Sequence, residues 1–589
     1  MIATTQLGAA PQEDGVAFGV WAPHADEVAV IGEFNHWDRT KNPCERDENG
    51  NWFAFVNEAN PGQAYKFWIR NGEREFQRID PRAREVSNSV GHGIIGRTDF
   101  DWENDSFTPP PMNEMVIYEM HIGTFNTDGN GVGSFGLAIE KLPYLRDLGI
   151  NVIELMPIAE FAGDYSWGYN PAHPFAIESA YGGPMELKRF IREAHRHGIA
   201  VVIDVVYNHF GPSDLDLWQF DGWSENNKGG IYFYNDWRSA TPWGDTRPDY
   251  GRGEVRQFIY DNAMMWIEEY HADGLRFDMT LYIRSVDGNE DNMIAEGISL
   301  SHWINQDIQE RFPGKISIAE DLRNNHLMTA DGGACFSTQW DANFVHPIRD
   351  QIIKIDDAHR SVDVVRNAIC FRFNSDAFER VIYTESHDEV ANGKQRVVSE
   401  IDPSDEPNRY AVKRSTLGAC VMFTSPGIPM LMQGQEFLRD KWFNDGRPID
   451  WSRCEKYASV VQMYHDLIQL RLNRRGITAG LTGQHVNVFH LNEEPNILAM
   501  HRCKESGPKD DVVVVFKFSE GTADDYRIGF PKPGEWKLRF NGDAKVYGDA
   551  FDGIQSDHLT AEAVPHDGFE FSATINIGAY SCLIFSQDA

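Results

Sequence analysis

Cysteine is scarce in this sequence, with seven in 589 residues. They stand singly, at Cys44, Cys335, Cys370, Cys420, Cys454, Cys503 and Cys582, and no CxxC pair occurs. An odd number cannot form a complete set of disulfides, and scattered single thiols are what a reducing compartment keeps. Basic residues are also in short supply. Against 89 Asp and Glu there are 54 Lys and Arg, which leaves a formal net charge of -35 and a pI near 4.9. So acidic a chain repels nucleic acid and anionic membrane surfaces and leaves a neutral or cationic ligand as its partner. Long apolar runs are missing: nowhere do about 18 apolar residues follow one another, as a membrane-spanning helix requires. The opening residues MIATTQLGAAPQEDG carry neither the basic region nor the apolar stretch of a signal peptide. A soluble, cytoplasmic protein with no nucleic-acid and no membrane partner is expected, and nothing here speaks to its oligomeric state.

What is present is globular in character, with 41% hydrophobic and 12% aromatic residues. The length suits about three to four domains, or one large barrel with attached modules. Over residues 1–105, short strands alternate with turns, as in GVAFGVWAP, DEVAVIGEF, GNWFAFV and QAYKFWIR, and predict an N-terminal β-sandwich. Trp21, Trp37, Trp52 and Trp68 read as its core, because aromatic side chains dominate small sandwich interiors. The stretch SFTPPPMNEM, residues 106–115, reads as a linker. Over 479–589 the pattern is again strand-like, in VNVFHL, DVVVVFKF, DYRIGF, WKLRF and YSCLIFS, and predicts a C-terminal β-sandwich.

Between these, over 112–478, strands alternate with amphipathic helices. VIYEMHIG, NVIELMPI, IAVVIDVVYNH, GLRFD, KISIAED, FSTQWD, VIYTESHD and PMLMQGQE are eight strand candidates. One helix is expected from Ser134 to Leu148, with Leu137, Leu142, Leu145 and Leu148 on one face and Gly149 as its stop. Two more, PMELKRFIREAHRHG and EVRQFIYDNAMMWIEEY, each precede a strand. The fold class is therefore multidomain α/β, a (β/α)8 TIM barrel flanked by two β-sandwiches.

One barrel strand is unusual. HADGLRFDMT, residues 271–280, sets Arg276 and Asp278 in an otherwise apolar run, and strand alternation turns both to the same side. Such a pair is either a structural ion pair or the lining of a binding cavity. Four strands end in acids: Asp204, Asp278, Glu320 and Asp388. Barrel active sites gather at the C-terminal ends of the strands, so four acids in matching positions, joined by Arg276, His209 and His387, are more than helix caps. Carboxylates with Arg and His but no Cys suit glycoside chemistry, which needs a nucleophile or base and a proton donor around an oxocarbenium-like centre. The competing reading is a divalent metal held by His209, His387 and the acids. Arg276 in the same cavity argues against a cation there.

DVVYNH, GLRFD, IAED and ESHD, in that order, resemble the four signature segments of the α-amylase family of glycoside hydrolases and transglycosylases. GVWAP and GEFNHWD resemble the starch-binding-like module that precedes the barrel in branching, debranching and trehalose-releasing members. The resemblance implies Asp278 as nucleophile, Glu320 as general acid/base and Asp388 as the carboxylate that holds sugar hydroxyls and stabilises the distorted ring. It implies Arg276 as the residue that orients Asp278 and keeps it ionised, and Asp204, His209 and His387 as sugar contacts. In DYSWGYNP, Tyr169 resembles the family's stacking tyrosine, and Trp167 beside it reads as a further sugar contact or as packing. Asn208 matches a position that binds calcium in some members. It has no clear companion ligands, and no metal and no cofactor is expected.

Family resemblance implies a retaining mechanism on α-glucosidic bonds and leaves the acceptor open. A glucan 6-hydroxyl makes a 1,4-α-glucan branching enzyme; water makes an α-amylase-type hydrolase or a maltooligosyltrehalose trehalohydrolase. ESHDEVANGK, YEMHIGTF and EEYHADGLRFD resemble the branching enzymes, while NHFGPS and SWGYNP resemble the trehalohydrolase and debranching groups equally. Met279 and Thr280 stand where branching enzymes usually have Ala-Val. Branching of an α-glucan (glycogen, amylose or maltooligosaccharide) is the favoured expectation. A catalytically silent glucan-binding protein is the reading from another class, and the retention of all three acids speaks against it.

Overall fold

The computed structural model describes residues 6–97, 99–129, 131–505 and 510–588. Two antiparallel sheets come first. Gly15–Trp21 lies between Gly8–Gln12 and Asn51–Val56, and Glu27–Gly32 pairs with Ala64–Asn71 in the facing sheet. Alternation turns Val16, Phe18 and Val20 of one sheet and Val28, Val30, Phe67 and Ile69 of the other into a shared core. Trp21 and Trp52 lie in that core as expected; Trp68 is buried instead in a separate cluster with Ala29 and Ile31, against which the partly buried Trp37 packs.

The barrel is built from β1 (Ile117–Met120), β2 (Val152–Leu155), β3 (Ala200–Val205), β4 (Gly274–Phe277), β5 (Ile316–Ala319), β6 (Thr338–Trp340), β7 (Arg380–Ile382) and β8 (Ile428–Met432). Each pairs in parallel with the next, and β8 pairs back onto β1, which closes the cylinder. A parallel strand is covered on both faces, which is why these segments are near-continuous apolar runs. Glycine opens β4 because a Cβ there would stand 2.4 Å from the Ile316 carbonyl oxygen of β5.

The segment expected to be one helix from Ser134 to Leu148 forms two, Phe135–Ile139 and Leu142–Leu148. Pro143 is the reason: with no N–H to donate it sits at a helix start and cannot continue a preceding one. Leu142, Leu145 and Leu148 are buried as the spacing demands, but in the first helix Phe135 and Ala138 face the core and Leu137 is only partly covered.

Beyond the barrel a six-stranded antiparallel sheet packs with a two-stranded one. Ile497–Cys503 of the larger sheet and Phe571–Ile577 of the smaller one are two strands that the sequence pattern does not show. Ile497–Cys503 is central and buried nearly throughout, so it has no alternation to betray it.

Candidate active site

In register, Asp204 on β3 stands beside Arg276 on β4, and both point into the barrel. Asp278 follows the end of β4 directly, Glu320 follows β5, and His387 and Asp388 lie in the loop after β7. Arg276 is fully buried at the centre of them. Its Nη1 donates to Asp204 Oδ2 at 2.7 Å and to Asp278 Oδ1 at 3.1 Å, and its Nη2 lies 2.7 Å from Glu320 Oε2. The guanidinium also sits 4.4 Å from the ring centre of Trp340. The ion pair is thus present, with one cation shared among three carboxylates.

The neighbouring contacts hold these acids in place. Asn208 Nδ2 donates to the carbonyl oxygen of Asp278 at 2.8 Å and to its Oδ2 at 2.5 Å, so both carboxylate oxygens of Asp278 have a donor. Met279 has a left-handed backbone, φ 37, and its N–H donates to Glu320 Oε2 at 2.9 Å. Thr280 Oγ1 donates to the Glu320 carbonyl at 2.9 Å, a bond that a valine at this position could not make. Side-chain exposure falls from 38% at Asp388 through 7% at Asp278 to 0% at Glu320, so the site deepens from the first to the last.

Burial sets the protonation states. It raises the Glu320 carboxyl well above the usual range against the pull of Arg276, and Asp278 and Asp388 add to the rise. It pushes Asp204 up to about 7, again with Arg276 opposing. For His387 burial works against the charge, but Asp388 and Glu119 outweigh it and push the imidazole up to about 10. Among the described residues, buried Asp204 Oδ1 and Glu320 Oε1 have no protein hydrogen-bond partner.

The expected sugar contacts all lie around this centre, in different conditions. Tyr169 donates from its hydroxyl to Asp204 Oδ2 at 2.7 Å and stacks on the His387 ring at 5.0 Å. Trp167 meets His387 edge-on at 5.8 Å and packs on Phe443 at 5.3 Å, and so is engaged mainly with protein. His209 is also occupied: Nε2 lies 3.0 Å from the Tyr169 carbonyl oxygen, Nδ1 faces the Asn208 side-chain oxygen, and the ring stacks on Trp243 at 4.4 Å. Asn208, matched in sequence to a calcium position, spends its amide on Asp278 and His209.

Two acids escape the sequence reading. Glu119 of β1 accepts from the His387 backbone N–H at 2.9 Å and lies 2.6 Å from its Nδ1. Glu154 of β2, beside Glu119 in register, is buried with Oε2 unpartnered and is pushed up to about 8 by burial. The signal is present in VIYEM and NVIEL, since each sets a lone acid in an apolar strand.

Comparison with known proteins bears on this arrangement. Family models match for the carbohydrate-binding module 48 (isoamylase N-terminal domain) at residues 6–83, the alpha amylase catalytic domain at 123–238 and the alpha amylase C-terminal all-beta domain at 489–588. The 1,4-alpha-glucan branching enzyme of Corynebacterium jeikeium is 30% identical over 98% of this chain and 83% of its own length. That of Corynebacterium efficiens is 32% identical over 99% of this chain and 81% of its own. The chain belongs to the α-amylase family, with the 1,4-alpha-glucan branching enzymes.

Solved structures show how widely the fold of this family is shared. The pullulanase type I of Bacillus subtilis str. 168, complexed with maltose, superposes with a TM-score of 0.78 at 22% identity, over 100% of this chain and 86% of its own. A pullulanase from Paenibacillus barengoltzii, complexed with maltohexaose and alpha-cyclodextrin, also reaches 0.78 at 20% identity, over 100% and 96%. Within this branching-enzyme relative the catalytic-domain match ends at residue 238, before Asp278, Glu320 and Asp388, so the roles of these three rest on geometry.

Proposed function

We propose that this chain is a 1,4-α-glucan branching enzyme acting by double displacement with retention. Asp278 attacks the anomeric carbon of an α-1,4-linked glucan while Glu320 gives its proton to the departing 4-oxygen. The C1–O4 bond breaks and a glycosyl ester on Asp278 forms. Glu320, now a carboxylate, takes the proton of a glucan 6-hydroxyl, whose oxygen displaces Asp278 from C1 and completes an α-1,6 branch. Asp388, at the open side of the site, is the carboxylate for the sugar hydroxyls, with His387, Tyr169 and Asp204 around the same ring.

The observation that carries this reading is the Arg276 fork, which touches Asp278 and Glu320 at once. A single guanidinium holding both favours the short separation of about 5–5.5 Å used by retaining enzymes over the wider gap that admits a water. The raised Glu320 carboxyl supports its part as acid, and Oε1 is the oxygen left to carry the proton. Asp278→Asn and Glu320→Gln are each expected to lower turnover by about 10²–10⁴-fold or more with the fold intact. With a glucosyl fluoride, whose leaving group needs no proton, Glu320→Gln should spare the first step and accumulate the glycosyl ester on Asp278, because the base of the second step is missing. Activity of either variant on amylose within about tenfold of wild type would overturn these roles.

The acceptor is tested with amylose. Transfer to a 6-hydroxyl requires that water be outcompeted at the glycosyl ester, so iodine colour should fall with little rise in reducing ends. A debranching enzyme should then release short chains from the product. Reducing ends that rise in step with the loss of colour would make it a hydrolase, and trehalose release from maltooligosyltrehalose would make it a trehalohydrolase.

A further inference from the structure

Outside the barrel, among the described residues, His490, His566 and Asp567 of the C-terminal sheets bring possible ligand atoms together. His566, Asp567, Gly568 and Phe569 form a two-residue hairpin turn, with φ 52 at Asp567, φ 80 at Gly568 and hydrogen bonds of 3.1 and 2.9 Å between His566 and Phe569. Two left-handed central residues are the type I′ geometry, a rigid turn that sets His566 and Asp567 side by side. His490 reaches them from strand His485–Asn492, just past an irregularity in its pairing. Its Nδ1 lies 2.9 Å from Asp567 Oδ1, His566 Nε2 lies 3.6 Å from the same oxygen, and donor atoms of all three fall within 4.8 Å of one another. Ligands about 2.0–2.2 Å from a tetrahedral ion stand roughly 3.3 Å from each other, which these distances bracket.

The surrounding contacts orient the donors outward from their own partners. Asp567 Oδ2 accepts from the Gly529 N–H at 2.9 Å, which leaves Oδ1 to face the two imidazoles. His490 Nε2 lies 2.8 Å from the Tyr526 hydroxyl, which accepts from Asn492 Nδ2 at 2.9 Å. With its proton on Nε2 and directed to Tyr526, His490 presents a bare Nδ1, and such outer hydrogen bonds are what fix imidazole and carboxylate ligands. A plain His490–Asp567 hydrogen bond between two hairpins would account for those two residues. It leaves His566 Nε2 at a distance too long for a hydrogen bond and with no purpose beside them.

We infer that His490, His566 and Asp567 bind a divalent transition-metal ion of the zinc type, with the fourth position toward solvent beside the partly exposed His566. Two imidazoles and one carboxylate suit zinc rather than calcium or magnesium, which take oxygen ligands. Bound there, the ion would tie strand His485–Asn492 to the turn before Phe571–Ile577 and, through Gly529 and Tyr526, to strand Ala523–Phe530. The test is a zinc titration by calorimetry of the full chain after chelation, with cobalt as a spectroscopic probe. One equivalent of zinc should bind and raise the thermal midpoint of wild type, and cobalt should give the visible absorption of a tetrahedral site. His566→Ala, a change at the most exposed of the three, should abolish both, and Tyr526→Phe should weaken zinc by about tenfold or more. Amylose turnover should be unchanged by chelator and by His566→Ala, because the barrel residues are untouched. Zinc uptake by His566→Ala equal to that of wild type, or no uptake by wild type, would overturn the site and leave the branching reading unaffected.

Discussion

At the scale of single residues, the protonation of His387 depends on Glu119. Both side chains are almost wholly buried, and the imidazole lies between Glu119 Oε1 at 2.6 Å and Asp388 Oδ1 at 3.5 Å. Burial alone would discharge the ring; the two acids together carry it from an ordinary value of 6.5 up to about 10. Its contribution to stability is therefore complete below 6.5 and is lost as pH rises through about 10. Glu119→Gln removes one of the two acids, so His387 should lose its proton at lower pH, and the basic limb of the pH–rate profile should move down with it. An unmoved limb would show that Glu119 serves only the backbone N–H of His387. That Glu119 escapes a sequence reading while Arg276 does not is a matter of degree: one acid in an apolar strand is weaker evidence than an acid and a base two positions apart.

At the scale of elements, the insert between β2 and β3 carries the two aromatic residues nearest His387. Its strands Ala159–Phe161 and Pro171–Ile177 pair with shifts in register, so their own ladder is short. Two buried acids complete it. Glu160 accepts from the Ser179 N–H at 2.9 Å, and Glu178 accepts from Phe161 at 3.2 Å and Ala180 at 2.9 Å. Burial pushes Glu160 up to about 7, and burial with the neighbouring Glu160 pushes Glu178 up to about 8. Acids with raised values stabilise the folded insert fully below the ordinary 4.5 and do so less as pH climbs through 7 and 8. Amide protection at Phe161, Ser179 and Ala180 should accordingly fall as pH rises from 4.5 to about 8 and level off above it, and Glu178→Gln, a permanently neutral mimic, should flatten that dependence. Equal pH dependence in wild type and variant would refute the assignment. Pairing this irregular has no periodic signature, whereas the helix break is marked in the sequence by a single residue, Pro143.

At the scale of the whole molecule, the barrel and the terminal sheets are joined through a buried charge. Lys413, in helix Arg409–Thr424, is fully buried and donates to Asp543 at 2.6 Å and to Asp552 at 2.8 Å. Lys413→Ala would strand the equally buried Asp543, at a cost of about 3–5 kcal/mol. Calorimetry should then show the terminal sheets melting earlier, as a lowered or divided transition; an unchanged one would mean that the junction rests on its apolar contacts. The N-terminal strands are joined to the barrel more openly, by Arg84 to Glu269 at 2.9 Å and Arg82 to Asp261 at 2.7 Å. The sequence by itself determined the eight barrel strands and the placing of Asp204, Asp278 and Glu320 at or just past their ends, with Asp388 further on in the loop after β7, because burial on both faces and strand alternation are local properties written in consecutive residues. It determined that Arg276 and Asp278 share a side for the same reason. Only the tertiary structure decided that one guanidinium serves three carboxylates, that Asn208 belongs to Asp278, that Glu119 holds His387, and that His490 meets a turn 76 residues further on. Those pairings depend on distances between segments remote in the chain, and the charge states depend on how completely water is excluded, which no single segment controls.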